Sequence, residues 1–199
     1  MFNIMIRFGG AATAVSGVLV IAQSAWDIAV GGLPEGRAES SLHTAQMLLL
    51  VPGVVGLYLA QRQAMRTFGQ IATLVAVVGS TLMFGSALTE VTLLPELSAA
   101  GSPLADDPGT TTVGVFLTSF TLWVAGLLLF GVASWRAGVL PRPAAALLVL
   151  GLLAALGLKD VVPGVLVFYA AGLIWLGVAT AARTSAALAD APEPALARP

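Results

Sequence analysis

The sequence predicts an all-α protein: a polytopic transmembrane helix bundle of six spans with both termini on the cytoplasmic side. Three observations predict it. Of 199 residues, 58% are hydrophobic and 10% are charged, against about 25% charged in an ordinary soluble domain, and the mean hydropathy is +0.95. Several apolar runs approach or reach the roughly 20 residues needed to cross about 30 Å of hydrocarbon. The charges between those runs separate by sign when the runs are folded back and forth.

The six runs are residues 8–30, 42–61, 67–94, 111–135, 143–158 and 162–182. Each reads as a helix, because lipid leaves backbone N–H and C=O groups without partners unless the span bonds to itself, and the period-2 alternation of a membrane barrel is absent. The first follows Arg7 and ends near Trp26 and Asp27, an indole and a carboxylate at the interface. Arg7 with the small residues Ala22, Ser24 and Ala25 also fits a cleavable signal peptide, but the apolar run continues to Val30, which favours a retained span. Gly31, Gly32, Pro34 and Gly36 make 31–41 a turn-rich outer loop. The second span carries His43 near its start and Pro52-Gly53 as a candidate kink. Residues 62–66 and 136–142 are tight basic turns, which make spans two and three, and four and five, antiparallel neighbours. Residues 95–110, with Pro95, Pro103, Pro108 and two glycines, read as the second outer loop. The fifth span is the shortest, bounded by Pro141, Pro143 and Lys159–Asp160, and reads as half of a tight hairpin. Residues 1–183 thus form one transmembrane domain, and the Ala-, Pro- and acid-bearing stretch 184–199 reads as a disordered cytoplasmic tail.

Orientation follows from Lys and Arg, which cytoplasmic loops retain. With six spans, Arg7, Arg62, Arg66, Arg136, Arg142, Arg183 and Arg198 fall on one side, and Arg37 and Lys159 on the other. Eight acids, Asp27, Glu35, Glu39, Glu90, Glu96, Asp106, Asp107 and Asp160, oppose the arginine side, while Asp190 and Glu193 join it. A five- or seven-span chain would mix the two sets. The arrangement puts the arginine side in the cytosol. Small residues suggest where helices touch: Gly9, Thr13 and Gly17 on span one, and Thr81, Gly85 and Thr89 on span three.

Composition removes several chemistries. There are no cysteines and one histidine, so disulfides, thiolate metal sites, cysteine nucleophiles, bis-histidine haem ligation and an HExxH zinc site are all excluded within one chain. A net charge of −1 without a basic cluster excludes nucleic acid as a partner. No Gly-x-Ser-x-Gly elbow, Walker A loop or dinucleotide fingerprint occurs. The reading therefore leans against an enzyme, and no cofactor or metal is expected.

The candidate polar cluster lies where the spans reach the carboxylate side: Gln23 and Asp27 on span one, His43 and Gln46 on span two, Glu90 on span three, and Lys159 and Asp160 between spans five and six. Gln23 and Asp27 share a face at i, i+4, and Gly79, Met83, Ser86 and Glu90 share another at 4-3-4 spacing. At 1.5 Å per residue, Glu90 stands about 36 Å from Arg66 and Asp27 about 30 Å from Arg7, so both carboxylates belong to the interface, not the midplane. A small polar vestibule is the expected consequence. Trp123 and Trp175, by contrast, read as packing or lipid contacts.

His43 at the start of span two, Gly56-Leu-Tyr-Leu-Ala-Gln-Arg62, Glu90 with Pro95 and Leu97 at the exit of span three, and the turn Arg136-Ala-Gly-Val-Leu-Pro-Arg142-Pro143 together resemble uncharacterised multi-pass membrane proteins of high-GC bacteria, of the actinobacterial and chloroflexi type. The resemblance implies a six-helix bundle and brings no activity or assigned site. The functional expectation is a non-enzymatic membrane component that binds lipid, a membrane-protein partner or a second copy of itself. The alternative is a small-solute or ion-coupled transporter using the outer cluster of Asp27, His43 and Glu90, which requires a water-accessible cavity running from that cluster past Gln23 and Gln46.

Overall fold

The computed structural model describes residues 2–30, 37–105, 109–158, 161–162 and 164–189, with the side chains of Asp27, Val30, Ala105 and residues 37–39 and 186–189 outside the description. Within these residues the chain is six helices: α1 (Phe2–Val30), α2 (Arg37–Gln61), α3 (Arg66–Ala99), α4 (Gly109–Ala137), α5 (Arg142–Leu158) and α6 (Leu166–Ala189), with one 3-10 turn at Pro103–Ala105. Five are long and apolar enough to cross a membrane, and α5, at 17 residues, is the short one. Each helix packs on its neighbours in sequence, and α6 returns to pack on α1, closing a ring.

The distribution of side chains is that of a lipid-embedded bundle. Leu74 and Leu150 are 64% and 63% exposed, with Ile71, Val115, Phe168 and Val178 also turned outward, whereas Thr13, Ser16, Ser80, Gln46 and Gln61 are buried. Water would penalise so large an apolar surface, and lipid does not. Without a hydrophobic drive between helices, close backbone approach and hydrogen bonds must hold the ring. A β-carbon on Gly9 would lie 2.5 Å from the Gly56 Cα of α2, and one on Gly10 would lie 2.8 Å from the Gly177 carbonyl of α6, so α1 is clasped from both sides. Gly126 meets Ala76 across α3 and α4, and Gly151 meets the backbone of Phe168 and Tyr169 across α5 and α6. Ser16 donates to the Gln46 carbonyl at 3.2 Å, and Gln61 donates to the Ser134 hydroxyl at 3.3 Å, linking α2 to α1 and to α4.

The arginine end is tightly turned, as the sequence indicates. Arg62 lies over the Phe2 ring at 4.4 Å and Arg136 over Phe68 at 5.6 Å, contacts that a guanidinium makes with an aromatic face. Gly138, at φ +65°, ends α4 in the left-handed conformation, its N–H bonded to the Ser134 carbonyl. Gly138→Ala is expected to cost about 1 kcal/mol and to lower the melting temperature in detergent by about 3 °C, measured by thermal unfolding.

Several helix ends differ from the sequence reading, among them the start of the first, at Phe2, and the start of the sixth, at Leu166. The third helix runs through Pro95 to Ala99, so the second outer connection is shorter than 95–110. The second helix begins at Arg37, inside the expected first loop, and the sixth runs on to Ala189. The second helix also passes Pro52 without interruption. The expected contact ridge Thr81, Gly85 and Thr89 is corrected: Thr81 and Thr89 are exposed, and a β-carbon on Gly85 would meet nothing within 4 Å. The contact ridge of α3 is Ala72, Ala76 and Gly79, all buried.

Candidate functional site: an axial cavity and a lateral cleft

Two voids open between the helices toward the end opposite the arginines. The first, about 420 Å³, is enclosed by all six helices: Val20 and Gln23 of α1, His43, Gln46 and Met47 of α2, Met83 of α3, Phe120 and Trp123 of α4, Leu152 and Ala155 of α5, and Leu166 and Tyr169 of α6. Its volume falls within the roughly 300–1,000 Å³ of small-molecule pockets, and its walls have their usual character, mostly apolar with a few polar groups.

Local structure explains how the polar groups arrive there. Thr44 shares its hydroxyl between the carbonyls of Ser40, at 2.8 Å, and Ala87 of α3, at 3.2 Å, which pins the opening turns of α2 against α3. His43 is the adjacent residue, and Gln46 lies about one turn further along the same face. The aromatic groups form a connected series. Phe116 stacks on Phe120 at 6.2 Å between ring centroids, Phe120 tilts on Trp123 at 5.9 Å, and Trp123 meets Tyr169 edge-on at 6.3 Å. The Trp123 Nε1 and Tyr169 Oη atoms are buried without a hydrogen-bond partner. So is the Oγ of Ser80, one turn from Met83 on α3. Each such group costs about 1–3 kcal/mol while unpaired.

Toward the arginine end the same helices carry Leu50, Leu57, Leu127, Phe130, Leu148 and Leu173, all buried in one cluster. The cavity therefore ends on packed side chains.

The second void, about 580 Å³, is a cleft between α3 and α4, lined by Thr81, Gly85, Ser86, Thr89 and Glu90 on one side and Thr112, Phe116 and Ser119 on the other. Nearer the arginine end the two helices touch backbone to backbone, where Gly79 faces Leu122 and Trp123 and Gly126 faces Ala76. Beyond that contact the cleft opens, with Phe116 on its α4 wall and Gly85 facing open space on α3. The hydroxyls of Thr81, Ser86, Thr89 and Ser119 donate to carbonyls four residues back at 2.8, 3.3, 3.0 and 2.8 Å. With these protons committed, the cleft wall is apolar in effect up to Glu90.

Of the residues singled out from sequence, Gln23, His43 and Gln46 line the axial cavity, and Glu90 lines the cleft. Lys159, Asp160 and the side chain of Asp27 lie outside the described residues. Among the described residues no group of three His, Cys, Asp or Glu side chains is placed to hold a metal. Sequence reasoning did not single out Phe120 or Tyr169, and it read Trp123 as a packing or lipid contact; Trp123 does pack in the core and also borders the cavity. The 4-3 spacing of Phe116, Phe120 and Trp123 on one helix was the available signal, and it does not distinguish an aromatic core from an aromatic cavity wall.

Fold and voids together define a helical membrane bundle with an internal, largely apolar cavity. No protein-family model, curated protein or solved structure matches the chain.

Proposed function

We propose that this chain is a non-enzymatic integral protein of a bacterial inner membrane that binds a small lipid-like molecule in the axial cavity. Charge placement supports the orientation, with the arginine end in the cytosol. The observation that carries the binding reading is a cavity of about 420 Å³ lined by apolar side chains from all six helices together with the polar side chains of Gln23, His43 and Gln46. A neutral amphiphile with a slender apolar body and one hydroxyl or carbonyl acceptor matches both features. Gln23, His43 and Gln46 supply the hydrogen bonds along the wall.

Tryptophan fluorescence tests this directly. Trp26, Trp135 and Trp175 are exposed whereas Trp123 is buried, so replacing the first three by phenylalanine leaves a single reporter in the cavity wall. In phosphatidylcholine liposomes, 11-bromoundecan-1-ol is expected to quench Trp123 saturably. 1-Bromododecane, in which a methyl group replaces the hydroxyl, should require roughly tenfold more, the worth of about 1.4 kcal/mol of hydrogen bonding. Linear, equal quenching by both compounds would mean that bromine reaches the tryptophan only by dissolving in the bilayer, and would refute the reading.

Transport by the same cavity is the second reading, favoured by one observation: the void passes Gln23 and Gln46 from His43, as a carrier open toward the carboxylate end requires. The packed cluster beneath it supports binding instead. Uptake of solute into proteoliposomes, altered in Gln46→Ala, would shift the balance to the carrier.

A further inference from the structure

The cleft and the cavity approach one another closely. Leu82 and Ser86 line the cleft while Met83, between them, lines the cavity; on α4, Phe116 and Ser119 line the cleft while Phe120, beside Ser119, lines the cavity. The same turns of α3 and α4 therefore border both spaces, with Met83 and Phe120 on the cavity side. Neither is fixed by a hydrogen bond. Met83 is unbranched and polarisable, and it repacks readily. Phe120 is half-buried, held by stacking between Phe116 and Trp123.

The cleft also faces lipid. Leu82, Val113 and Val115 on its walls are 41%, 46% and 57% exposed. Along α3 it spans Thr81 to Leu94, which at 1.5 Å per residue is about 20 Å, the distance from mid-membrane to the interface. A single alkyl chain with its polar end near Glu90 fits that length and that gradient of polarity.

We propose that the α3–α4 cleft is the lateral entrance through which a single-chain neutral amphiphile passes from the bilayer into the axial cavity, with Met83 and Phe120 as the movable partition. The inference rests on the binding reading above. It adds the route and the substrate class, a chain slender enough to pass between two helices, which excludes two-chain phospholipids as occupants of the cavity.

An entrance is crossed on the way in and on the way out and is empty in the bound state. Obstructing it must therefore slow association and dissociation alike and leave the equilibrium constant unchanged. Gly85 is the position to obstruct, because it lines the cleft and a β-carbon there would meet nothing within 4 Å. In the single-Trp123 protein, Gly85→Phe is expected to lower both rate constants for 11-bromoundecan-1-ol at least tenfold in stopped-flow quenching, with the dissociation constant within twofold of the parent. Gly157→Phe, on α5 and equally unobstructed, should change neither. Unchanged rates in a folded Gly85→Phe protein would place the route elsewhere and overturn the inference. Loss of equilibrium binding with Gly85→Phe would make the cleft the binding site itself, and would overturn it equally. The absence of saturable quenching in the parent protein would instead refute the binding reading, so the two failures are distinguishable.

Discussion

Replacing Gly79 by leucine is expected to break the contact between α3 and α4 and to lower the melting temperature in detergent by about 10 °C. A β-carbon at Gly79 would run into the backbone of Leu122 and Trp123, and backbone, unlike a flexible side-chain tip, has nowhere to go. The helices would have to separate along the stretch where Gly126 also abuts Ala76, losing packing that in lipid no hydrophobic effect replaces. Overpacking of one to a few carbons costs about 1–3 kcal/mol in soluble cores, and a rigid backbone contact belongs at or above the upper end, which sets the size of the shift. Gly85→Leu, two turns along the same helix, faces open space and is expected to melt within a few degrees of the parent. The contrast removes helix propensity as an explanation, because leucine improves on glycine at both positions. Trp123 emission reports the same event: it should shift to the red in Gly79→Leu alone, since that tryptophan lies at the point of separation.

The number and order of helices were legible because both depend on quantities a sequence carries openly. Apolar run length dictates what crosses the bilayer, and the signs of Arg62, Arg66, Arg136 and Arg142 dictate which ends lie together. Helix ends were less legible. Pro95 and the glycines near it look like loop chemistry, yet α3 continues to Ala99; Pro52 likewise lies inside α2. A membrane helix tolerates proline where neighbouring groups make good the lost bond.

Azimuth was the least legible property. A span that is apolar all round has no amphipathic stripe to show which face turns inward. Small residues were then the remaining guide, and they served on α1, where Gly9 and Gly17 do meet α2 and α6. On α3 the same guide pointed to Thr81, Gly85 and Thr89, which line the cleft. A small residue permits close approach, but the approach happens only where the opposite helix is also thin. Opposite Gly79 stands bare α4 backbone, and opposite Gly85 the cleft is open. The candidate site suffered from the same blindness. Its polar members, Gln23, His43 and Gln46, were readable as a group at one end of the bundle, whereas the aromatic wall depended on inward rotation of Trp123 and Tyr169.

The sharpest test of the axial cavity is to fill it. Ala155 is buried and lines the void, about one turn from Leu152 on α5. In a close-packed core Ala→Phe forces neighbours out of their rotamers and destabilises by several kcal/mol. Beside a 420 Å³ void the ring has space to occupy, so Ala155→Phe is expected to melt within about 3 °C of the parent, or above it if the ring packs on Trp123 and Tyr169. Saturable quenching of Trp123 by 11-bromoundecan-1-ol should fall at least tenfold, because the volume needed by the ligand is already taken. Leu156→Phe, at the exposed edge of the same wall, provides an independent variant with less steric demand, and should weaken binding in the same direction by a smaller factor. A folded Ala155→Phe protein that binds as tightly as the parent would show that the ligand is held elsewhere. Destabilisation of the size seen in a filled core would show that the space is occupied by packing atoms in solution. Stability retained with binding lost is the combination that a true ligand cavity alone produces, since a structural void gains from being filled and has nothing to lose.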